Sequence, residues 1–365
     1  MTGRFDDLRT DELDDDHADN EPSTWLPVDL TDALNGVDVP PPTIMARTDK
    51  INLLYAGRTH GFAGESESLK SWAAQVAVVQ QINAGANVLW IDFEDDAKGV
   101  VARLLSMMCS HDTIRERFTY VRPEEALRTK NGAWTAGGID FDLLLATKQW
   151  ALVVIDGVTE ALVTEGFNLI DNGDIAEWSR ILPKRCAKVG AAVVMIDHVP
   201  KSNDNRGRYA IGGQHKLAGL TGCQYIFEVE RKFSRAISES ITGVVKITVT
   251  KDRPGHVRTY ARDDVVARLH LTSYPDGGVS ASIERPDDSS APLNLAAAIN
   301  IYEQLVIYPQ SSKKAIETAV GGKTAVIRQT LTAMVTAGWV VVERQGKGLG
   351  HYHSLTPEGI KYFAP

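Results

Sequence analysis

The chain has 365 residues, 43% of them hydrophobic, which is enough for a sizeable core and, as a soft prior, two domains. Its formal net charge of -8 comes mostly from the first twenty residues, where eight acids face only Arg4 and Arg9. The remainder is close to neutral, so global charge says little about nucleic acid, and local patches must carry that argument.

No apolar run reaches the roughly 18 residues that a membrane span needs, and the N-terminus lacks the apolar segment of a secretory leader. The three cysteines, Cys109, Cys186 and Cys223, are too far apart to suggest a zinc site or a disulfide framework, and they fit a reducing cytoplasm. In chain order, residues 1–22 read as an acidic disordered tail. Residues 23–58 hold "WLPVDL" and "GVDVPPPT", a turn-rich lead-in. From residue 59 onward, short β-branched runs alternate with amphipathic stretches. "THGFAG" is a strand and "LKSWAAQVAVVQQINAG" a helix ending at Gly85. "ANVLWIDFE" is a strand, "DAKGVVARLLSMM" a helix and "FTYVRP" a short strand. "WALVVIDG" and "AAVVMIDHV" are buried strands flanking the predicted helix "GDIAEWSRILPKRCAKVG". This alternation predicts an α/β domain over 23–272 with a mainly parallel sheet covered on both faces. "QYIFEVERKF" and "TGVVKITVTKDRPGHVRTY" read as antiparallel strands that extend it. Residues 273–293, rich in Pro, Gly, Ser and Asp, read as a linker. Residues 294–365 then give three helices followed by a β-hairpin, the order of a winged helix-turn-helix domain.

The stretch "GESESLKS", Gly64 to Ser71, is one glycine short of the phosphate-binding pattern G-x-x-x-x-G-K-[ST], because Leu69 stands before the lysine. The loop logic is exposed backbone: N–H groups of a strand-to-helix turn surround a phosphate, and the helix N-terminus adds positive potential. The expected cradle is Gly64, Glu65, Ser66, Glu67, Ser68 and Leu69, with Lys70, Ser71 and Trp72 opening the helix. Lys70 would reach the phosphates and Ser71 would hold Mg²⁺. Leu69 is harmful only if its position needs positive φ or close phosphate approach, and a residue at a helix start is expected to take a helical φ. Asp156 ends the apolar run "ALVVID", the setting of a metal-holding carboxylate. Glu94 ends the strand after the loop, where an acid can polarise an attacking water; Glu160 is the fallback. His198 and Lys201 follow "VVMID" and could sense the terminal phosphate. Plainer readings stand beside these: a strand-end capping Asp156, a solvated acidic turn around Glu94, a satisfied structural His198.

"GESESLKS", "VLWIDFEDD", "LVVIDG" and "VVMIDHVPKS", in this order and spacing, resemble the RecA-like P-loop ATPases of the plasmid RepA-type hexameric helicase family over about residues 50–270. The resemblance implies a RecA-like P-loop NTPase core, ATP and Mg²⁺ as cofactors, a homo-hexamer, and DNA-driven hydrolysis in replication of a phage or plasmid-type element. It implies Glu94 as the water-activating acid, Lys70 and Ser71 on phosphate and Mg²⁺, and Asp156 as the second metal-holding residue. "TVTKDRPG" is similar to the K-x-R segment of the RecA-like replicative helicases, in which Lys251 and Arg253 would reach the phosphate held by a neighbouring subunit; otherwise it is a basic β-turn cornered by Pro254-Gly255.

The segment "HVPKSNDNRGRYAIGGQHKLAGLTG" is long, Gly-rich and basic, with Lys201, Arg206, Arg208 and Lys216 interleaved with Tyr209 and His215. It suits single-stranded DNA; the alternative is an ordinary surface loop. In the C-terminal unit, Lys323 and Arg328 on a recognition helix and Arg344 and Lys347 on a wing are the expected contacts to duplex DNA. Two rival functions remain at this level. One is a non-catalytic winged-helix regulator with a degenerate nucleotide site. The other is an ATP-switched oligomerising DNA-binding protein.

Overall fold

A computed structural model describes residues 25–35, 39–198, 214–232, 240–286, 295–321, 324–344 and 350–363. The chain divides into two units, residues 1–40 and 41–365. In the first, Thr31–Leu34 forms a single helical turn, α1. The Asp29 carboxylate starts it, accepting from the Thr31 N–H at 2.9 Å and hydroxyl at 2.6 Å. The acidic tail lies outside the described residues.

The second unit opens with a hairpin of β1 (Ile44–Ala46) and β2 (Asn52–Leu54). The βα alternation follows: β3 (Thr59–Gly64), α2 (Lys70–Asn83), β4 (Asn87–Asp92), α3 (Ala97–Ser106), α4 (His111–Arg117), β5 (Phe118–Val121), α5 (Ala136–Thr147) and β6 (Trp150–Asp156). Then come α6 (Val158–Thr164), α7 (Asn172–Ile181), α8 (Pro183–Lys188), β7 (Ala192–His198), α9 (Gln214–Gly219), β8 (Cys223–Arg231), β9 (Ile241–Asp252), β10 (Val265–Ser273) and β11 (Val279–Glu284). Gln80 of α2 ties the hairpin down, its amide bonding both the N–H and the carbonyl of Ala46 at 2.8 Å.

Among the described residues, nine strands form one sheet in the order β11-β10-β9-β8-β3-β7-β6-β4-β5. Strands β8 to β5 in that order are parallel, and β9, β10 and β11 add antiparallel edges. The inner strands β4, β6 and β7 are almost continuously apolar because helices cover both faces, and the period of two sorts their side chains. Val88, Trp90, Leu152, Val154, Val194 and Ile196 join one core cluster with α2, α3 and α4. Leu89, Ile91, Val153, Ile155 and Val193 join the other with α5 to α8. Strand β3 is separated from β4, the next strand in sequence, by β6 and β7. This crossover brings the ends of β3, β7, β6 and β4 side by side, with Gly64 opposite His198 and Asp92 opposite Asp156. The mixed α/β architecture with its mostly parallel central sheet fits a RecA-like P-loop core.

Two expectations are corrected here. Residues 273–284 are not linker: Val279–Glu284 pairs with β10 as an edge strand, and Tyr274–Gly278 closes the hairpin. The Pro/Gly/Asp signal marked a turn. The predicted single helix over 173–190 is also broken, at Leu182. Pro183 has no N–H to continue the helix, and it sits instead in the first turn of α8.

The C-terminal residues build α10 (Leu295–Ile307), β12 (Ser311–Ser312), α11 (Lys313–Val320), α12 (Thr324–Thr336), β13 (Val340–Arg344), β14 (His351–Leu355) and α13 (Pro357–Phe363). The strands pair antiparallel in the order β12-β14-β13. Ala298, Ile301, Leu305, Ile316, Ile327, Leu331, Met334 and Val340 form a separate small core. Trp339 stacks on Tyr362 with ring centroids 4.0 Å apart. Among the described residues, no helix is long and apolar enough to cross a membrane.

Candidate active site

The carboxyl ends of the parallel strands are where an open α/β sheet places its ligands, and here they gather one loop and a cluster of ionisable side chains. The loop Gly64–Leu69 joins β3 to α2. At Gly64 a Cβ would lie 2.6 Å from Ser68 Oγ and 2.7 Å from the Phe227 carbonyl, so the loop can close this tightly only on glycine. Leu69 has φ +63° and Glu67 φ +62°, both left-handed. The expected helical φ at Leu69 is therefore overturned: the position in front of the lysine does take the conformation that favours glycine. A left-handed non-glycine residue costs about 1–2 kcal/mol, and Leu69 offsets part of this by packing against the main core.

Helix α2 has no side-chain cap. By contrast, α3, α4, α5 and α7 are capped by Asp96, Ser110, Thr135 and Asp171. The first-turn N–H groups of α2 are thus left available to an anion. Lys70, itself buried, donates from Nζ to the carbonyls of Gly64 at 3.0 Å and Glu65 at 2.8 Å, bracing the loop. Burial lowers the Lys70 amine from its ordinary value, against the opposing pull of Glu94, Asp156 and Asp197. Trp72 lies under the Arg103 guanidinium, 5.9 Å from the ring centroid.

Ser71 Oγ stands 3.5 Å from Asp156 Oδ1. Burial, reinforced by the negative charge of Asp92, pushes the Asp156 carboxyl up to about 7. Asp92 is fully buried, not part of a solvated turn. It accepts the N–H groups of Glu94 at 2.9 Å and Asp95 at 2.8 Å, and the Trp90 indole N–H at 3.3 Å. It thereby shapes the turn that presents Glu94. Burial, a carboxyl–carboxyl hydrogen bond to Glu160 and the charge of Asp156 push Glu94 up to about 8. Glu94 Oε1 is 3.4 Å from His198 Nε2. Burial, then the charge of Lys70, lowers His198 from its ordinary value, so the contact is to a neutral imidazole at neutral pH.

Ser71 and Asp156 offer hard oxygens that suit Mg²⁺, which keeps several waters and takes its other oxygens from substrate phosphates. Among the described residues there is no group of three or more His, Cys, Asp or Glu side chains that could hold a metal ion.

Lys251 and Arg253 lie at the other end of the sheet. The Arg253 N–H bonds the Gly222 carbonyl, and the Gly222 N–H bonds Thr59, at the start of β3. The length of β3, roughly 15–20 Å, separates them from the loop, so neither reaches the phosphate site of its own chain. Lys216 is not a free loop cation: its Nζ is 2.9 Å from Asp197 Oδ2, with the two side chains only 9% and 8% exposed. Arg328 is held by both oxygens of Glu317, at 2.7 and 3.1 Å. Lys201, Arg206, Arg208, Lys323 and Lys347 lie outside the described residues, as does the side chain of Arg344.

Sequence reasoning passed over Asp92, Gly157 and Asp197 as parts of the site. Asp92 had a signal: period-two alternation in "VLWID" puts it on the same face as Trp90.

Residues 32–204 match a family model described as an AAA domain. The span contains the loop, Glu94, Asp156 and His198, covers just under half of the chain, and ends before β8. No curated protein sequence matches the chain. The match supports a P-loop ATPase: a nucleotide-binding, nucleotide-hydrolysing type of domain, for which Mg²⁺ is the usual companion.

Proposed function

We propose that this chain is an ATP-hydrolysing, DNA-dependent motor of the RepA-type replicative helicase kind, working as a homo-hexameric ring for a phage or plasmid-type element. The observation that carries the reading is the convergence of Lys70, Ser71, Glu94, Asp156 and His198 at the adjoining ends of four strands. The uncapped start of α2 and Lys70 bind the phosphates of ATP. Ser71 and Asp156 hold Mg²⁺, which supplies charge neutralisation on the phosphates when bound. Glu94, held largely protonated at neutral pH in the ligand-free protein, orients the attacking water and takes its proton once it has ionised. His198 touches Glu94 and precedes the basic segment from Lys201 in the sequence, and in this reading it relays loss of the terminal phosphate.

Arg253 lies too far from its own loop, so in this reading it serves a neighbouring copy. An arginine supplied in trans contributes about 10³–10⁵ in rate. Lys201, Arg206 and Arg208 are the proposed single-strand contacts. The helices and three-stranded sheet of the C-terminal residues form the proposed winged helix, with Lys323, Arg344 and Lys347 toward duplex DNA. Arg328 joins them only by releasing Glu317.

A second reading, an ATP switch that controls oligomerisation with slow turnover, is favoured by one observation, the left-handed Leu69 in the phosphate loop. The deciding experiment is ATP hydrolysis with and without single-stranded DNA, at protein concentrations that allow assembly. DNA-stimulated turnover abolished by Lys70→Ala supports the motor. ATP-dependent change of oligomeric mass with negligible turnover supports the switch, and neither response removes both.

A further inference from the structure

The turn that carries Arg253 is tied from within to an unusual degree. Asp252 ends β9, and its carboxylate accepts four donors: the Tyr55 hydroxyl at 3.0 Å, the Gly255 N–H at 3.0 Å, the Arg258 N–H at 2.8 Å and the Cys223 thiol at 3.5 Å. The Tyr55 oxygen in turn accepts the N–H groups of His256 at 3.1 Å and Val257 at 3.2 Å. Four successive backbone N–H groups, 255 to 258, are therefore consumed by one carboxylate and one phenol. Tyr55 is buried, at 1% exposure, and its ring stacks on the buried His60 at 6.0 Å and 5°. The clamp is thus anchored to β3 and not to the surface. Gly255, at φ +96°, supplies the left-handed residue that the turn needs. Arg253 is exposed at the tip of this turn.

Lys251, two residues earlier, is used differently. Its Nζ donates to the carbonyls of Ala218 at 3.0 Å and Leu220 at 2.9 Å, capping the end of α9. The same helix is bolted at Lys216 to Asp197, the residue before His198.

We propose that Asp252 and Tyr55 are positioning residues that hold the Arg253 tip in the shape a second copy of this chain receives, and that Lys251 is an internal tie to α9 and not a second cation for the neighbour's site. The proposal rests on the reading of Arg253 as acting in trans. A cation that must enter another subunit's site gains most when its backbone is fixed beforehand, because ordering it on contact would consume the same free energy that stabilises the transition state.

The test uses the full-length chain and four variants: Arg253→Ala, Asp252→Asn, Tyr55→Phe and Lys70→Ala. Asn at 252 faces the Arg258 N–H with an amide that can no longer accept at both oxygens. Phe at 55 keeps the ring and removes the acceptor for residues 256 and 257. Asp252→Asn is expected to lower kcat about 10- to 100-fold with little change in KM for ATP. Amide exchange should rise at 255 and 258 in Asp252→Asn and at 256 and 257 in Tyr55→Phe, with a loss of only a few degrees in melting temperature.

The decisive readout is mixing. Asp252→Asn chains co-assembled with Lys70→Ala chains should turn over ATP faster than either alone, because Lys70→Ala supplies an intact tip to an intact phosphate loop. A purely structural defect in Asp252→Asn would not be rescued this way. If Arg253→Ala loses turnover while both clamp variants keep it, the clamp is wrong and the trans reading stands. If Arg253→Ala itself retains full turnover, the trans reading fails and the clamp falls with it. If Asp252→Asn does not fold, Tyr55→Phe decides the matter by the same mixing.

Discussion

Glu94 Oε1 and His198 Nε2 approach to 3.4 Å although Glu94 sits in the turn after β4 and His198 ends β7, and these strands are not neighbours in the sheet. Strand β6 lies between them, and it contributes Asp156 and Gly157 to the space below. Lys70, Asp156 and Glu160 lie close enough to Glu94 to bear on its ionisation, and burial of Glu94 and Asp156 sets the pH behaviour.

Glu94 is pushed up to about 8 and Asp156 to about 7, each above its unfolded value. Such carboxyls contribute stability that is fully present below the unfolded pKa and is lost as pH rises through the folded one. The ligand-free protein should therefore lose stability between about pH 4.5 and 8. Glu94→Gln should flatten this slope and melt higher than the unaltered protein at pH 8. Buried His60 acts oppositely. It is held neutral between the Tyr55 N–H and the Val193 carbonyl and lowered by burial to about 4, so its contribution disappears as pH falls from 6.5 toward 4. Thermal melts across pH 4–9 check both limbs.

Gly157 stands at φ +90°, and a Cβ there would lie 2.7 Å from Glu94 Cγ and 3.2 Å from Glu160 Oε2. Gly157→Ala is expected to displace Glu94 and reduce single-turnover hydrolysis about 10- to 100-fold, with ATP binding changed only a few-fold. Equal losses in binding and hydrolysis would mean that the loop, not Glu94, had moved.

Leu69 offers a two-way test of strain. Leu69→Gly relieves about 1 kcal/mol of left-handed strain and gives up a partly buried side chain worth about the same, so its melting temperature should stay within a few degrees. Leu69→Ile adds β-branching at a positive φ and should destabilise by more than 1 kcal/mol. A Leu69→Ile protein as stable as the original would show that the loop is not held in this shape.

Lys216→Ala leaves the Asp197 carboxylate buried without its partner. The expected cost is about 3–5 kcal/mol, read as a drop of several degrees in melting temperature. Lys216→Met with Asp197→Leu should recover most of it. Unchanged stability with weakened DNA binding would return Lys216 to the nucleic-acid surface.

Much of the fold was legible because it rests on local, repeated signals. Continuous apolar runs such as "ALVVID" and "AAVVMID" require cover on both faces, and helical runs between them supply it. Where one residue type serves two purposes, the reading failed. The Pro, Gly and Asp of 273–278 serve a hairpin turn as well as they would a linker, and only pairing with β10 distinguishes the two. Pro183 was visible, but a proline can sit in the first turn of a helix or end one, and packing chose the first for α8. Stretch 136–147, with two glycines at its start, carried no assignment until Thr135 capped it as α5.

For the site, the sequence by itself determined which side chains are available and at which strand ends they stand: Lys70, Ser71, Glu94, Asp156 and His198 each follow an apolar run or a glycine turn whose local chemistry fixes its place. Only the tertiary structure decided which of them meet. The sheet order, with β7 and β6 between β3 and β4, is set by how whole helices pack across the sheet. That order brings Glu94 to His198, and the antiparallel run of β9 sends Arg253 to the far end. The left-handed turn at Leu69 is likewise a product of closure. The loop must return from β3 to α2 over a fixed gap, and the packing of both elements imposes a φ that leucine would not choose alone.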